Sequence, residues 1–263
     1  MPWDRPDMGR SVTLVIPARY GSSRFPGKPL VDLLGKPMIQ HVYEQAQACR
    51  AVSDVLVATD DERIKTAVEG FGGRVIMMTE PYRTGTDRVA AVAAARGGDC
   101  FIDLQGDEIL LHPDLITDLV EPFLASEALM GTLKRRIDSD EDLHNPGVVK
   151  VTTDQEGYAL YFSRAPIPLV RDDPRHAAAP GLHFIHLGLY IYTRDTLLRL
   201  ASLPTGVLED AEKLEQLRAL EHGIRIRVWE TSHASLRIDS PSDVPGALEQ
   251  LRSRAGVAGV VPQ

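Results

Sequence analysis

From Val12 to Leu30 the chain reads Val-Thr-Leu-Val-Ile-Pro-Ala-Arg-Tyr-Gly-Ser-Ser-Arg-Phe-Pro-Gly-Lys-Pro-Leu, an apolar run that opens into a Gly/Ser turn carrying Arg19, Arg24 and Lys28. Gly21 and Gly27 let backbone N–H groups come close to a ligand, and cations so tightly spaced suit a polyphosphate. The spacing excludes the commonest phosphate loop, which needs four residues between its glycines and a hydroxyl after its lysine. Here five residues separate Gly21 from Gly27, and Pro29 follows Lys28 with neither an N–H nor a hydroxyl to offer. The Rossmann glycine fingerprint is absent as well. Taken alone, the stretch reads equally well as a glycine-rich turn with solvated cations.

Two acidic stretches change that balance. Ile102-Asp103-Leu104-Gln105-Gly106-Asp107-Glu108 is an apolar strand ending in a polar tip. In an open parallel sheet, ligands bind outside the carboxyl ends of strands. Asp107 is therefore placed near the Gly21–Lys28 turn if the two strands are neighbours, where a carboxylate opposite a phosphate loop acts through a divalent cation such as Mg²⁺. The plainer alternative is that Asp107-Glu108 caps a following helix. In Leu236-Arg237-Ile238-Asp239-Ser240-Pro241-Ser242-Asp243, a capped helix accounts for Ser240, Pro241 and Asp243. It leaves Asp239, at the strand's end, unexplained.

The elements that must position these residues follow from periodicity. Strands are predicted at Val12–Ala18, Asp54–Thr59, Arg74–Met78 and Cys100–Leu104, with helices between them at Pro37–Cys49, Asp61–Phe71 and Asp87–Arg96. This alternation implies right-handed crossovers and a mostly parallel, doubly wound α/β sheet. From residue 130 to 193 the pattern turns β-rich, with strands at Met130–Ile137, Val148–Thr153, Tyr158–Ser163 and His183–Thr193. That region is expected to form a smaller acceptor or dimerisation subdomain inserted in a single domain spanning 11–263. Pro166 to Gly181 reads as a long loop, a class that is usually functional or mobile. Helices at Leu208–His222 and Pro241–Ser253 flank a strand at Arg225–Glu230, and residues 1–10 read as a loose leader.

Composition bounds the function. The 263 residues are 43% hydrophobic and 25% charged, with a net charge of −8. This is ordinary globular composition, and its sign argues against nucleic-acid and anionic-membrane partners. Two cysteines, Cys49 and Cys100, have no pairing or metal spacing, which fits a reducing, cytoplasmic setting. His41, His112, His144, His176, His183, His222 and His233 show no metal-ligand spacing and read as surface or packing residues. His186, in a strand beside Gly188 and Tyr190, is set apart as a candidate ligand to a hydroxyl or an anion.

Several blocks taken in order carry a resemblance: Ile16 to Leu30, Gly35-Lys-Pro-Met, Val57-Ala-Thr-Asp, Thr84-Gly-Thr-Asp-Arg, Gln105-Gly-Asp-Glu, Asn145-Pro, Tyr161-Phe-Ser-Arg-Ala-Pro-Ile-Pro, His186-Leu-Gly-Leu-Tyr and Leu208 to Arg218. From Val12 to Arg252 the chain resembles the 3-deoxy-manno-octulosonate cytidylyltransferases, the CMP-Kdo synthetases. The resemblance implies a Rossmann-like nucleotidyltransferase fold, CMP transfer from CTP to an acidic sugar, release of pyrophosphate, Mg²⁺ and a homodimer. Carried over by position, it implies a CTP site of Ala18, Arg19, Gly21, Ser22, Ser23, Arg24, Lys28, Arg88, Gln105 and Gly106. Asp107 and Asp239 are the implied metal ligands; with Arg19 and Lys28 they form the implied catalytic set. The implied acceptor surface is Gln105, Arg164, His186, Tyr190, Glu209 and Gln216.

Three departures concern the acceptor. Ile109 stands where the family commonly has Pro, Ile185 where it has Arg, and Arg237 where it has Gly. Arg237 either turns out to solvent or enters the acceptor site. In the second case its fork-shaped cation suits a smaller, more anionic acceptor, a phosphonate such as phosphonoformate. Two further alternatives remain: a catalytically inactive nucleotide-binding homologue, which the presence of Lys28, Asp107 and Asp239 weighs against, and a different nucleotidyltransferase making CMP-sialic acid or a UDP-sugar, which the Tyr161–Pro168 and Leu208–Arg218 blocks resemble less well.

Overall fold

The computed structural model describes residues 9–21, 25–109, 112–172, 177–179, 181–233 and 236–257. Its strands are β1 (Val12–Ala18), β2 (Asp32–Leu33), β3 (Lys36–Pro37), β4 (Asp54–Thr59), β5 (Val75–Met77), β6 (Cys100–Leu104), β7 (Met130–Arg136), β8 (Lys150–Thr153), β9 (Ala159–Ser163), β10 (Phe184–Thr193) and β11 (Arg227–Glu230). Its helices are α1 (Met38–Ala48), α2 (Glu62–Gly70), α3 (Gly85–Arg96), α4 (Pro113–Leu124), α5 (Asp140–His144), α6 (Arg194–Ser202), α7 (Val207–Glu212), α8 (Gln216–Glu221) and α9 (Val244–Val257). Among the described residues no helix is long and apolar enough to cross a membrane.

The central sheet runs β11-β7-β10-β6-β1-β4-β5, with β2 and β3 forming a separate small hairpin. β6, β1, β4 and β5 are parallel, β11 is parallel to β7, and β10 is antiparallel to both its neighbours in the row. Side chains alternate across a strand, and both faces of this sheet are covered. Leu14, Ile16, Val57 and Ile102 pack on one side with α1, α4 and α9. Val15, Leu56, Ala58 and Phe101 pack on the other with α3 and α6. Burial on both faces explains why the strands read as continuous apolar runs.

The mostly parallel α/β sheet is as expected, but the β-rich stretch differs from the expected insertion. β7 and β10 are members of the central sheet, and only β8 and β9 lie off its row. The predicted helix at Leu208–His222 is two short helices, α7 and α8. They are broken at Lys213, whose φ of 53° is left-handed. Residues 1–8 of the expected leader lie outside the described residues, whereas Arg10 is tied down, donating to the carbonyl of Leu124 at 3.3 Å.

Candidate functional site

β1 pairs in parallel with both β4 and β6, and the connections leaving β1 and β6 run to opposite sides, toward β4 and toward β7. That is the switch point at which open α/β sheets bind ligands. The segments leaving the carboxyl ends of β1 and β6 build the site. After Ala18 the chain turns back on itself, and Gly27 N–H donates to the Tyr20 carbonyl at 2.9 Å. Gly27 has φ of 72°, and a Cβ there would meet the Tyr20 ring at 3.2 Å. This turn starts the short 3-10 helix Lys28–Leu30 and aims Lys28 at the end of β6.

Asp239 arrives from far along the chain. The segment after β11 pairs with the segment after β6: Ile109 N–H donates to Leu236 O at 2.8 Å, and Ile238 N–H to Asp107 O at 3.1 Å. Glu108 and Arg237 form the antiparallel bridge between these two bonds. Lys28 Nζ then donates to Asp107 Oδ2 at 2.7 Å and to Ile238 O at 2.9 Å. Arg237 Nε lies 3.3 Å from Asp107 Oδ2 and 3.2 Å from Asp239 Oδ1. Lys28, Asp107, Arg237 and Asp239 thus form one charge cluster. Burial works against the charge on Arg237, but the carboxylates of Asp107, Asp239 and Glu108 outweigh it and raise its pKa. Ser240 caps the next turn, with Asp243 Oδ2 accepting from Asp239 N–H at 2.8 Å, which holds Asp239 at the turn's mouth.

Two adjoining cavities open here. The inner one, of about 210 Å³, is lined by Ala18, Arg19, Lys28, Arg88, Gln105, Gly106, Asp107 and Arg237. Arg88 projects from α3 and is 5% exposed; its Nη2 donates to Asp60 at 2.9 Å, while Nη1 is buried with no hydrogen-bond partner among the described residues. Oδ1 of Asp107 is orphaned in the same way. The outer cavity, of about 550 Å³, is lined by Arg164, His186, Tyr190, Gln216, Asp103 and Glu215, among others. Gln105 and Arg237 line both cavities. Gly21 is exposed beside the turn, and Ser22, Ser23 and Arg24 lie outside the described residues.

Of the expected acceptor residues, Glu209 is the one the structure places elsewhere. It is buried in a bidentate pair with Arg218, at 2.7 Å from Nε and 2.5 Å from Nη2, and it lines neither cavity. The break at Lys213 explains this. A continuous helix would set Glu209 beside Gln216 off the apolar stripe, whereas two helices fold Glu209 back onto Arg218. The Arg164 guanidinium is largely engaged with backbone, donating to the carbonyls of Glu212 and Pro146 at 2.8 and 2.9 Å.

His186 is neutral, with burial driving its pKa down to about 3. Thr132 Oγ1 lies 2.8 Å from Leu189 O and 3.1 Å from His186 Nε2. A hydroxyl has one proton, and the carbonyl takes it, so the imidazole donates from Nε2 and keeps Nδ1 as an acceptor. His186 therefore suits a hydroxyl and not an anion.

Three polar residues escaped the sequence reading. Asp103, inside the apolar β6 run, is buried; burial and then the nearby Glu215 push its carboxyl up to about 7, against hydrogen bonds from Thr86 and Gln105. Glu215 accepts from Thr84 at 2.8 Å and is also raised, chiefly by burial. Lys150, fully buried, donates to three carbonyls, including that of Arg164 at 2.6 Å. With β6 buried on both faces, no alternation of apolar and polar residues marked Asp103 in the sequence.

Residues 13–226 match the family model described as cytidylyltransferase. A 3-deoxy-manno-octulosonate cytidylyltransferase of Geobacter sulfurreducens is 52% identical over 92% of this chain and 100% of its own length. That of Trichlorobacter lovleyi is 51% identical over 92% and 98%. Among solved structures, a CMP:2-keto-3-deoxy-manno-octonic acid synthetase complexed with CTP superposes with a TM-score of 0.86 at 41% identity, over 93% of this chain and 99% of that one. A putative glucose-1-phosphate thymidylyltransferase from Bacillus anthracis shares the fold alone, at 17% identity and a TM-score of 0.62, over 92% and 95%.

Proposed function

Since this chain belongs to the 3-deoxy-manno-octulosonate cytidylyltransferase family, we propose that it transfers CMP from CTP to the anomeric hydroxyl of 3-deoxy-D-manno-octulosonate and releases pyrophosphate. The observation that carries this reading is the junction of Lys28, Asp107 and Asp239 beside a cavity that Arg19 and Arg88 also line. In-line displacement at the α-phosphorus asks a protein mainly for positioning and charge neutralisation. Lys28, Arg19 and the unpartnered Arg88 Nη1 meet the triphosphate's negative charge. Ala18, Gly21 and Gly106 supply close backbone approach. Gln105, on the wall between the cavities, faces both substrates. In the outer cavity His186 Nδ1 accepts from a sugar hydroxyl, and Tyr190, Gln216 and Arg164 complete the acceptor surface.

Magnesium fits the carboxylate pair. The donors are hard oxygens, and Asp107 Oδ1 is buried without a hydrogen-bond partner. Held by Asp107 and Asp239, the ion supplies charge neutralisation and a template for the triphosphate. Lys28 and Arg237 already balance the two carboxylates, so the pair suits a cation that arrives with the nucleotide's own negative charge.

The phosphonate reading rested on Arg237 reaching an acceptor. Its Nε is instead committed to Asp107 and Asp239, and the 550 Å³ outer cavity leaves room for an eight-carbon acid. Arg237 in this account positions the metal carboxylates. A homodimer through the β9 region belongs to the same reading, supported by Leu160, which is 62% exposed there; the free cysteines Cys49 and Cys100 support a cytoplasmic setting. The test is pyrophosphate release with each of the four nucleoside triphosphates, offered 3-deoxy-D-manno-octulosonate or phosphonoformate. Turnover confined to CTP and the sugar acid is expected. Turnover with phosphonoformate alone would replace the acceptor, and none with CTP would overturn the function.

A further inference from the structure

Two of the histidines read from sequence as surface or packing residues come together away from both cavities. The His112 and His233 rings stack at 4.4 Å, within 5° of parallel. Asp114 lies between their nitrogens, with Oδ2 3.5 Å from His112 Nδ1 and 4.0 Å from His233 Nε2. One ligand atom from each of the three residues falls within 4.8 Å of the others. Asp118, one turn further along α4, places its Oδ2 4.0 Å from the same His233 nitrogen and is held by the Thr231 hydroxyl.

We propose that His112, Asp114 and His233, with Asp118 as fourth donor, form a surface site for a divalent transition-metal ion of the zinc class. A tetrahedral zinc with bonds of about 2.0–2.1 Å sets its ligand atoms about 3.3 Å apart. The Asp114 separations of 3.5 and 4.0 Å therefore need small closures, and the ring nitrogens, within 4.8 Å of each other, must approach by up to about 1.5 Å. The stacked rings must tilt for their lone pairs to converge, and χ2 of histidine is a soft, broad torsion. The tautomer is suitable at His112: Asp114 N–H donates to Nδ1 at 3.3 Å, so the ring proton sits on Nε2 and Nδ1 carries the lone pair. An ion there replaces a long hydrogen bond with a metal bond. Imidazole with carboxylate selects zinc, cobalt, nickel or copper over magnesium, so this site and the Asp107–Asp239 pair have different ion preferences.

The ion would join the first turn of α4 to the segment leaving β11. That segment continues to Leu236–Asp239, which pairs with residues 107–109. A zinc bond here staples the base of the arm that delivers Asp239.

The experiment titrates Zn²⁺ calorimetrically into metal-stripped protein in a millimolar Mg²⁺ background, and Co²⁺ by its visible absorption. His112→Gln, His233→Gln and Asp118→Asn are run beside the parent chain. One zinc per chain is expected, with a tetrahedral cobalt spectrum and a rise in thermal midpoint on adding Zn²⁺. Affinity should fall at least ten-fold in each histidine variant. The two histidine variants serve as independent checks, and circular dichroism confirms that each is folded. Zinc binding of equal strength in the parent and in both histidine variants would overturn the proposal, as would no stoichiometric binding in the parent.

Discussion

Asp103 shows how much a single buried carboxyl can shape this protein's pH response. Its folded pKa of about 7 exceeds the ordinary 3.8, so between those values the folded state keeps a proton that the unfolded chain has released. Stability from this group therefore falls as pH rises from about 4 to 7. His186 has the opposite sign. Its pKa drops from 6.5 to about 3, the unfolded chain binds the extra proton, and stability rises with pH across that interval. Where the intervals overlap the two contributions offset each other. Asp103→Asn keeps the shape and removes one side of that balance. Relative to the parent, the variant should gain stability across pH 4–7 and level off above 7, by up to about 4 kcal/mol at roughly 1.4 kcal/mol per unit. Urea unfolding at a series of pH values checks this, and a difference that does not vary with pH would contradict the buried-acid account. At the same scale, Lys28→Ala removes a cation placed for the leaving phosphates. It should lower turnover about 10²–10³-fold with a much smaller change in CTP affinity, measured by steady-state pyrophosphate release beside direct nucleotide binding.

Elements explain both what the sequence showed and what it hid. The parallel strands were legible because burial on both faces turns Val12–Ala18, Asp54–Thr59 and Cys100–Leu104 into predominantly apolar runs. The same continuity concealed Asp103, which sits in one of those runs. α4 went unread because Pro122 interrupts its pattern, and α6 because it follows β10 with no intervening loop. The cationic turn was visible as composition, but the pairing of residues 107–109 with 236–238, which brings Asp239 to Asp107, has no local signal. The histidine cluster was hidden for the same reason. The α7–α8 break redirected Glu209 from the acceptor to Arg218, and that gives a prediction at this scale. Removing one partner of a buried ion pair leaves the other charge stranded and typically costs about 3–5 kcal/mol. Glu209→Ala should lower the unfolding free energy by about that much while acceptor KM stays within a few-fold of the parent. A large rise in KM at unchanged stability would return Glu209 to the acceptor site.

Over the whole molecule, the site exists only when distant parts of the chain have met. Lys28 follows β1, Asp107 follows β6, and Asp239 lies beyond β11 at the far edge of the sheet order. A ligand that engages all three binds the folded state alone and must stabilise it. At a hundred times its dissociation constant the gain is about 2.7 kcal/mol, which for a chain of this size raises the thermal midpoint by roughly 5–10 °C. CTP with magnesium should produce that shift, and substitution of either carboxylate should largely abolish it. The most direct measurement is a double-mutant cycle on the rate of CMP transfer with Asp107→Asn, Asp239→Asn and both together. If the two carboxylates serve one metal–triphosphate centre, each single change lowers the rate about 10²–10³-fold, and the double variant is scarcely slower than the worse single one. Losses that multiply as independent factors, or single variants within a few-fold of the parent, would contradict a shared centre.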